Sequence, residues 1–186
     1  MNNVSYKVAL GGIVSSLCML SMFAVVVMPF LYLTMPMIAG ALITIIAVEV
    51  NKSWAFLTYA AVGLLSIFVI PNKEASLIFI LLFGYYPIIK ELIDKLKSRF
   101  LRIAVKFVVF NIVAVADYYA TLYILGISDM TEDFAMFGKL GIYIFWALCN
   151  VIFFVYDYAL KGCIEVYVKI LKPKIFGKHT KKKGGS

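Results

Sequence analysis

Six runs of apolar residues, at 6–28, 31–50, 53–70, 75–89, 101–125 and 137–160, take up most of this 186-residue chain. An α-helix rises about 1.5 Å per residue, so about 20 consecutive apolar residues cross the hydrocarbon core of a bilayer. The run at 75–89 is short, a deficit that flanking side chains reaching for the interface can make up. Composition agrees: 63% of the residues are hydrophobic and the mean hydropathy is +0.96, well above a soluble domain, which is roughly half apolar. The expectation is an all-α, polytopic membrane protein with six transmembrane helices spread over residues 1–171. Residues 172–186 are expected to form a flexible basic cytoplasmic tail drawn to anionic lipid. The first run is long, follows a single Lys7 and reaches Pro29 without a small-x-small cleavage pattern, so it reads as a mature helix and not a secretory signal.

Punctuation supports these cuts. Pro29, Asn51, Pro71 with Asn72, and the polar run 128–133 all fall between apolar stretches, where turn chemistry belongs. Pro36 and Pro87 fall inside helices, where a neighbouring helix must satisfy the carbonyl each one frees.

Positively charged loops stay on the cytoplasmic face of a membrane. With both termini inside, all of the eighteen Lys and Arg residues except Lys73 and Lys139 lie on that face. The opposite orientation would misplace nearly all of them. The net charge of +8 is therefore assigned to the membrane surface and not to nucleic acid. Between Lys90 and Arg102, Leu92, Ile93, Leu96 and Phe100 recur at helical spacing. That segment is either an interfacial amphipathic helix or an extension of the fourth span into the headgroups. Asp157, Lys161, Glu165 and Lys169 follow at i, i+4 steps, which predicts a helix leaving the bilayer with Asp157 paired to Lys161.

A carboxylate deep in an apolar helix costs about 2.5–3.5 kcal/mol on insertion scales, so it faces a partner or a cavity. Asp117 is such a residue. Counting along the fifth and sixth spans puts Asp117, Tyr143 and Trp146 at one level in the outer half of the bilayer. Tyr143, Trp146, Asn150 and Asp157 form one stripe on the last helix; Asn111, Ala114 and Tyr118 share a face of the fifth, with Asp117 and Thr121 adjoining. Aromatic walls with a few polar groups suit a small-molecule pocket between helices. Asn111, Asp117, Tyr118, Tyr143, Trp146 and Asn150 are the candidate ligand-binding residues. The alternatives are interhelical hydrogen bonding by Asn111 and Asn150 and interfacial belt positions for Tyr143 and Trp146. In the first helix, Gly11, Gly12, Ser15 and Ser16 form small-xxx-small pairs that let another helix approach, either within the bundle or from a partner.

The function classes this excludes are broad. No Walker A loop is present. The only histidine, His179, sits in the tail, which removes Ser-His catalysis and the usual metal-ligand sets. The expectation is no enzyme, no cofactor and no metal. Cys18, Cys149 and Cys163 share no ligand spacing and are assigned no role.

Six spans, both termini inside, a small-residue surface early in the first helix and polar and aromatic residues on the last two together resemble the substrate-binding, or S, component of bacterial energy-coupling factor (ECF) transporters. The resemblance implies a bacterial plasma-membrane protein that binds a vitamin-like small nutrient or a metal ion near the outer face. It also implies a transmembrane coupling subunit with two ATPase subunits as partners, docking on Gly11 with Ser15 or Gly12 with Ser16. By that likeness Asp117, Tyr118, Tyr143, Trp146 and Asn150 line the pocket, with Lys73 and Glu74 near its lid. Two departures are the short connection between the first two helices and Gly and Ser where the family more often has Ala. The alternative is a non-transporting membrane scaffold, similar in size to the small membrane subunit of the rod-shape complex, whose polar residues only hold helices together.

Overall fold

A computed structural model describes residues 4–126 and 140–171. Seven α-helices follow one another: α1 (Val4–Phe23), α2 (Thr34–Glu49), α3 (Lys52–Val69), α4 (Lys73–Ile78), α5 (Tyr86–Asp94), α6 (Arg99–Ala120) and α7 (Gly141–Val166), with no strand among the described residues. Four stretches, Val4–Val26, Lys52–Val69, Lys73–Asp94 and Gly141–Lys169, are long and apolar enough to cross a membrane. Of the other two, α2 has 16 residues, and α6 has 22 but carries Lys106, Asn111 and Asp117. The polar run 128–133 and the basic tail lie outside the described residues.

Capping sets the helix ends. Asn51 accepts from the Trp54 N–H at 2.9 Å and Asn72 from the Ala75 N–H at 2.8 Å, each satisfying a donor that the first turn leaves open. Ile70, constrained by the proline that follows it, is extended and ends α3. Lys73 folds back to donate to the carbonyls of Ile67 and Ile70 at 2.6 and 2.8 Å. Pro36 falls in the first turn of α2, where a missing N–H costs nothing.

The segment from Lys90 resolves simply. α5 continues the fourth helix to Asp94, and Ser98, accepting from the Leu101 N–H, caps the start of α6. The fourth helix is thus extended beyond the expected 75–89, and the charged segment forms no separate helix.

The fourth helix is broken at its middle. Phe79–Phe83 is a π turn, in which the Gly84 N–H bonds to the Phe79 carbonyl at 2.7 Å and so abandons the Ile80 carbonyl. Four residues past Phe83, Pro87 has no N–H to give the Phe83 carbonyl. Two tyrosines from other helices take their place. The Tyr59 hydroxyl donates to the Ile80 carbonyl at 2.8 Å and the Tyr156 hydroxyl to the Phe83 carbonyl at 3.4 Å.

Helix α2 lies at the centre of the packing, touching α1, α3, α5, α7 and the π turn. Gly40 permits this: a Cβ there would fall 2.4 Å from the Phe83 carbonyl oxygen and 2.7 Å from the Tyr156 hydroxyl. One side of the core is aliphatic, with Val14, Met22, Ile43 and Val62. The other is aromatic: Phe110 stacks on Phe153 at 4.3 Å, and Tyr86 meets Phe153 edge-on at 4.9 Å. Much of the outer surface stays apolar, as at Phe68, Phe100, Val27 and Ile124. That is far more than a soluble monomer shows and is compatible with insertion among lipid chains.

Gly40→Ala is expected to destabilise the full chain by about 1–3 kcal/mol through overpacking, read as a lowered thermal unfolding midpoint in detergent. Gly162→Ala, where a Cβ meets nothing within 4 Å, is expected to be neutral or mildly stabilising.

Candidate functional site

α6 and the π turn Thr121–Leu125 that continues it present Phe110, Ala114, Asp117 and Thr121, spaced four, three and four, on one buried face. Asp117 is only 6% exposed and Thr121 1%. The Asp117 Oδ1 and the Thr121 Oγ1 have no hydrogen-bond partner. Leaving a buried polar atom unsatisfied costs about 1–3 kcal/mol, and more for a charge, so this face of α6 holds an uncompensated polar centre.

Asp117 borders a cavity of about 210 Å³. The turn before α2 contributes Tyr32 and Leu33, α4 contributes Glu74 and Ile78, and the π turn contributes Phe83. α6 adds Phe110 and Tyr118 beside Asp117, and α7 adds Phe145, Trp146 and Cys149. The break in the fourth helix matters here, because the π turn that frees the Ile80 carbonyl also places Leu82 and Phe83 on the cavity wall. π turns inside helices recur at functional sites.

The sequence candidates separate into three groups. Asp117, Tyr118 and Trp146 come together on the cavity. Asn111 and Asn150 do not line it; their amides bond each other, Asn111 Nδ2 to Asn150 Oδ1 at 2.9 Å and Asn150 Nδ2 to Asn111 Oδ1 at 3.3 Å. The same amide nitrogens also donate to the carbonyls one turn back, Phe107 and Trp146, at 2.8 and 2.9 Å. Tyr143 is 71% exposed and away from the cavity. Glu74, placed near a lid by resemblance, lines the cavity, whereas Lys73 does not.

Sequence reasoning missed an ion network at the other end of α6. Asp157 bonds both Lys90 and Lys106, the latter through Oδ1 and Oδ2 at 3.0 Å each, and accepts from the Tyr86 hydroxyl at 2.5 Å. Lys106 also reaches Asp94 at 2.7 Å. Lys90 and Lys106 are 3% and 4% exposed. Asp157 is therefore not the helix-end partner of Lys161; burial of two lysines on the neighbouring helices captures it. Only the pair further along the predicted series forms, Lys169 with Glu165 at 3.3 Å. The available signal was two lysines at apolar-flanked positions of adjacent helices. Lys106 and Asp117 are eleven residues apart, about 16 Å along α6, so the network and the cavity occupy opposite halves.

On α1, a Cβ at Gly11 would lie 3.6 Å from Thr58 Oγ1, whereas one at Gly12 would meet nothing within 4 Å. Gly11 therefore packs inward on α3 and Gly12 faces out, with the Ser16 hydroxyl donating to the Gly12 carbonyl at 2.9 Å. Ser15 and Ser16 edge a shallow groove shared with Leu65 and Val69 of α3.

Among the described residues no cluster of His, Cys, Asp and Glu could hold a metal ion. Comparison with protein family models, curated proteins and solved structures finds no match.

Two outcomes follow from the polar contacts. A double-mutant cycle of Asn111→Ala and Asn150→Ala is expected to give a coupling of about 0.6–1.7 kcal/mol. Asp157→Ala leaves the two buried lysines to share Asp94 and is expected to cost about 3 kcal/mol; both are measured by thermal unfolding in detergent.

Proposed function

We propose that this chain is a six-span bacterial plasma-membrane protein with both termini cytoplasmic, acting as the substrate-binding subunit of an ECF-type transporter that takes up a vitamin-like small nutrient. The observation that carries the reading is the buried, unpartnered carboxylate of Asp117 on an aromatic-walled cavity. Pockets that hold small ligands combine apolar walls with a few oriented polar groups in this way. Tyr118 and Trp146 supply stacking surfaces, and Asp117 supplies the orienting group.

Charge distribution supports the orientation. Lys52 pairs with Glu91 at 3.0 Å, which brings the start of α3 to the end of α5. Lys7, Lys95, Lys97, Arg99, Arg102 and Lys161 belong to the same half, whereas Lys73 is at the end bearing Asp117. A basic face of this kind belongs in the cytoplasm, which turns the cavity outward. In this reading the outward surface of α1, with Gly12 and Ser16, receives the transmembrane coupling subunit, and ATPase subunits supply the energy.

A specific observation favours a second reading. The Asn111–Asn150 pair and the Asp157 network, which takes in both buried lysines, hold helices together, as the polar groups of a non-transporting scaffold of a cell-envelope complex would. The two readings separate in one experiment on the purified full chain with Trp54→Phe, so that emission reports Trp146 alone. A binding subunit is expected to retain a small molecule detectable by mass spectrometry and to change its Trp146 emission on titration with it. Asp117→Ala is expected to weaken that response at least tenfold. A scaffold shows no retained ligand, and the substitution changes stability alone.

A further inference from the structure

Resting on the reading of the cavity as a nutrient-binding site, we infer that its ligand is an organic monocation: a single ring with a short substituent bearing a protonated amine. Sequence left the sign of the ligand open, because Asp117 favours a cation and Lys73 or Lys139 would favour an anion. The fold removes Lys73 from the choice. Its ammonium is held by the Ile67 and Ile70 carbonyls at 2.6 and 2.8 Å, and it does not line the cavity. Lys139 lies outside the described residues. The nearest base on α6 itself, Lys106, is bound to Asp94 and Asp157, about 16 Å away along the helix.

What remains is a cavity lined by two carboxyl groups, Glu74 and Asp117, and by no Lys, Arg or His among the described residues. Two carboxylates facing the same apolar space repel each other, and the repulsion is relieved when one takes up a proton or when a positive charge comes between them; a cationic guest does the latter and gains a charge-assisted contact as well. Asp117 Oδ1 has an open acceptor position, so an ammonium N–H of the ligand satisfies an atom the protein leaves bare. Charge-assisted bonds of that kind are stronger than neutral ones. The walls fit the same guest, since Trp146, Tyr118, Phe145 and Phe110 line the cavity with aromatic rings, to which a cation or a flat ring is attracted.

Size narrows the class. An engineered apolar cavity of about 150 Å³ holds benzene, so the space of about 210 Å³ here takes one ring with a short substituent. Glu74 also borders the open surface near Pro71 and Asn72.

The test uses the full chain with Trp54→Phe in detergent and three probes of matched shape: benzylamine, benzyl alcohol and benzoate, followed by Trp146 emission. Benzylamine is expected to bind at least about tenfold more tightly than benzyl alcohol, about 1.4 kcal/mol, with benzoate the weakest. Asp117→Asn is expected to shrink that preference to less than about threefold while benzyl alcohol binding holds. Glu74→Gln provides a second variant expected to reduce the preference in the same direction. Equal or tighter binding of the neutral or anionic probe overturns the inference while leaving a ligand-binding cavity in place. Silence of all three probes at millimolar concentration also overturns it, and absence of any retained small molecule in the mass spectrum then removes the binding reading as well.

Discussion

Polar groups buried in an apolar bundle have to be answered by other polar groups, and almost every feature of this structure is a way of doing so. The break at Phe79–Phe83 is the central case. A π turn and Pro87 release two carbonyls, and hydroxyls from α3 and α7 reach in to take them. Those hydrogen bonds require close approach, which Gly40 on α2 permits by having no side chain against the Phe83 carbonyl. The broken helix, the central position of α2 and the aromatic half of the core depend on one another through this contact.

The same rule applies at the charged end. Lys90, Lys106, Asp94 and Asp157 balance to zero and join α5, α6 and α7. A buried network of this kind is poor as a source of net stability, because desolvation offsets most of the attraction, but removal of one member is costly. Its effect is to set the register of three helices. The Asn111–Asn150 pair does likewise at the level between network and cavity. Against this background the bare Asp117 oxygen stands apart. Other buried polar atoms also lack a partner, Thr44 Oγ1 and Thr121 Oγ1 among them, but the Asp117 oxygen belongs to a residue that borders the aromatic-walled cavity, and those two threonines do not line it.

Several expectations were legible because they depend on local chemistry alone. Asn51, Pro71 and Asn72 end and start helices through capping and the restriction before proline, effects that act within a few residues. Asp117 stood out because a carboxylate among apolar neighbours has a free-energy cost wherever it is placed. Three other residues were harder to assign. Asn150 and Trp146 share a stripe on α7, yet one is tied to α6 by an amide pair and the other lines the cavity. Tyr143, on the same stripe, is exposed and does not line the cavity. The pairing of Asp157 with Lys90 and Lys106 spans 67 and 51 residues, a separation at which helical periodicity carries no information.

The chain by itself determined that it would be helical and greasy, where several of its helices would start or stop, and that one carboxylate would need an explanation. These follow from hydropathy, capping and the cost of burying charge, all of which are properties of short segments. Only the tertiary structure decided which polar groups satisfy one another and which is left open, since that depends on how helices distant in sequence are rotated and how closely they approach. Placing Lys73 on the carbonyls of its own turn, the asparagines on each other and Asp117 beside a cavity separated polar residues that bond within the bundle from a carboxylate that borders open space.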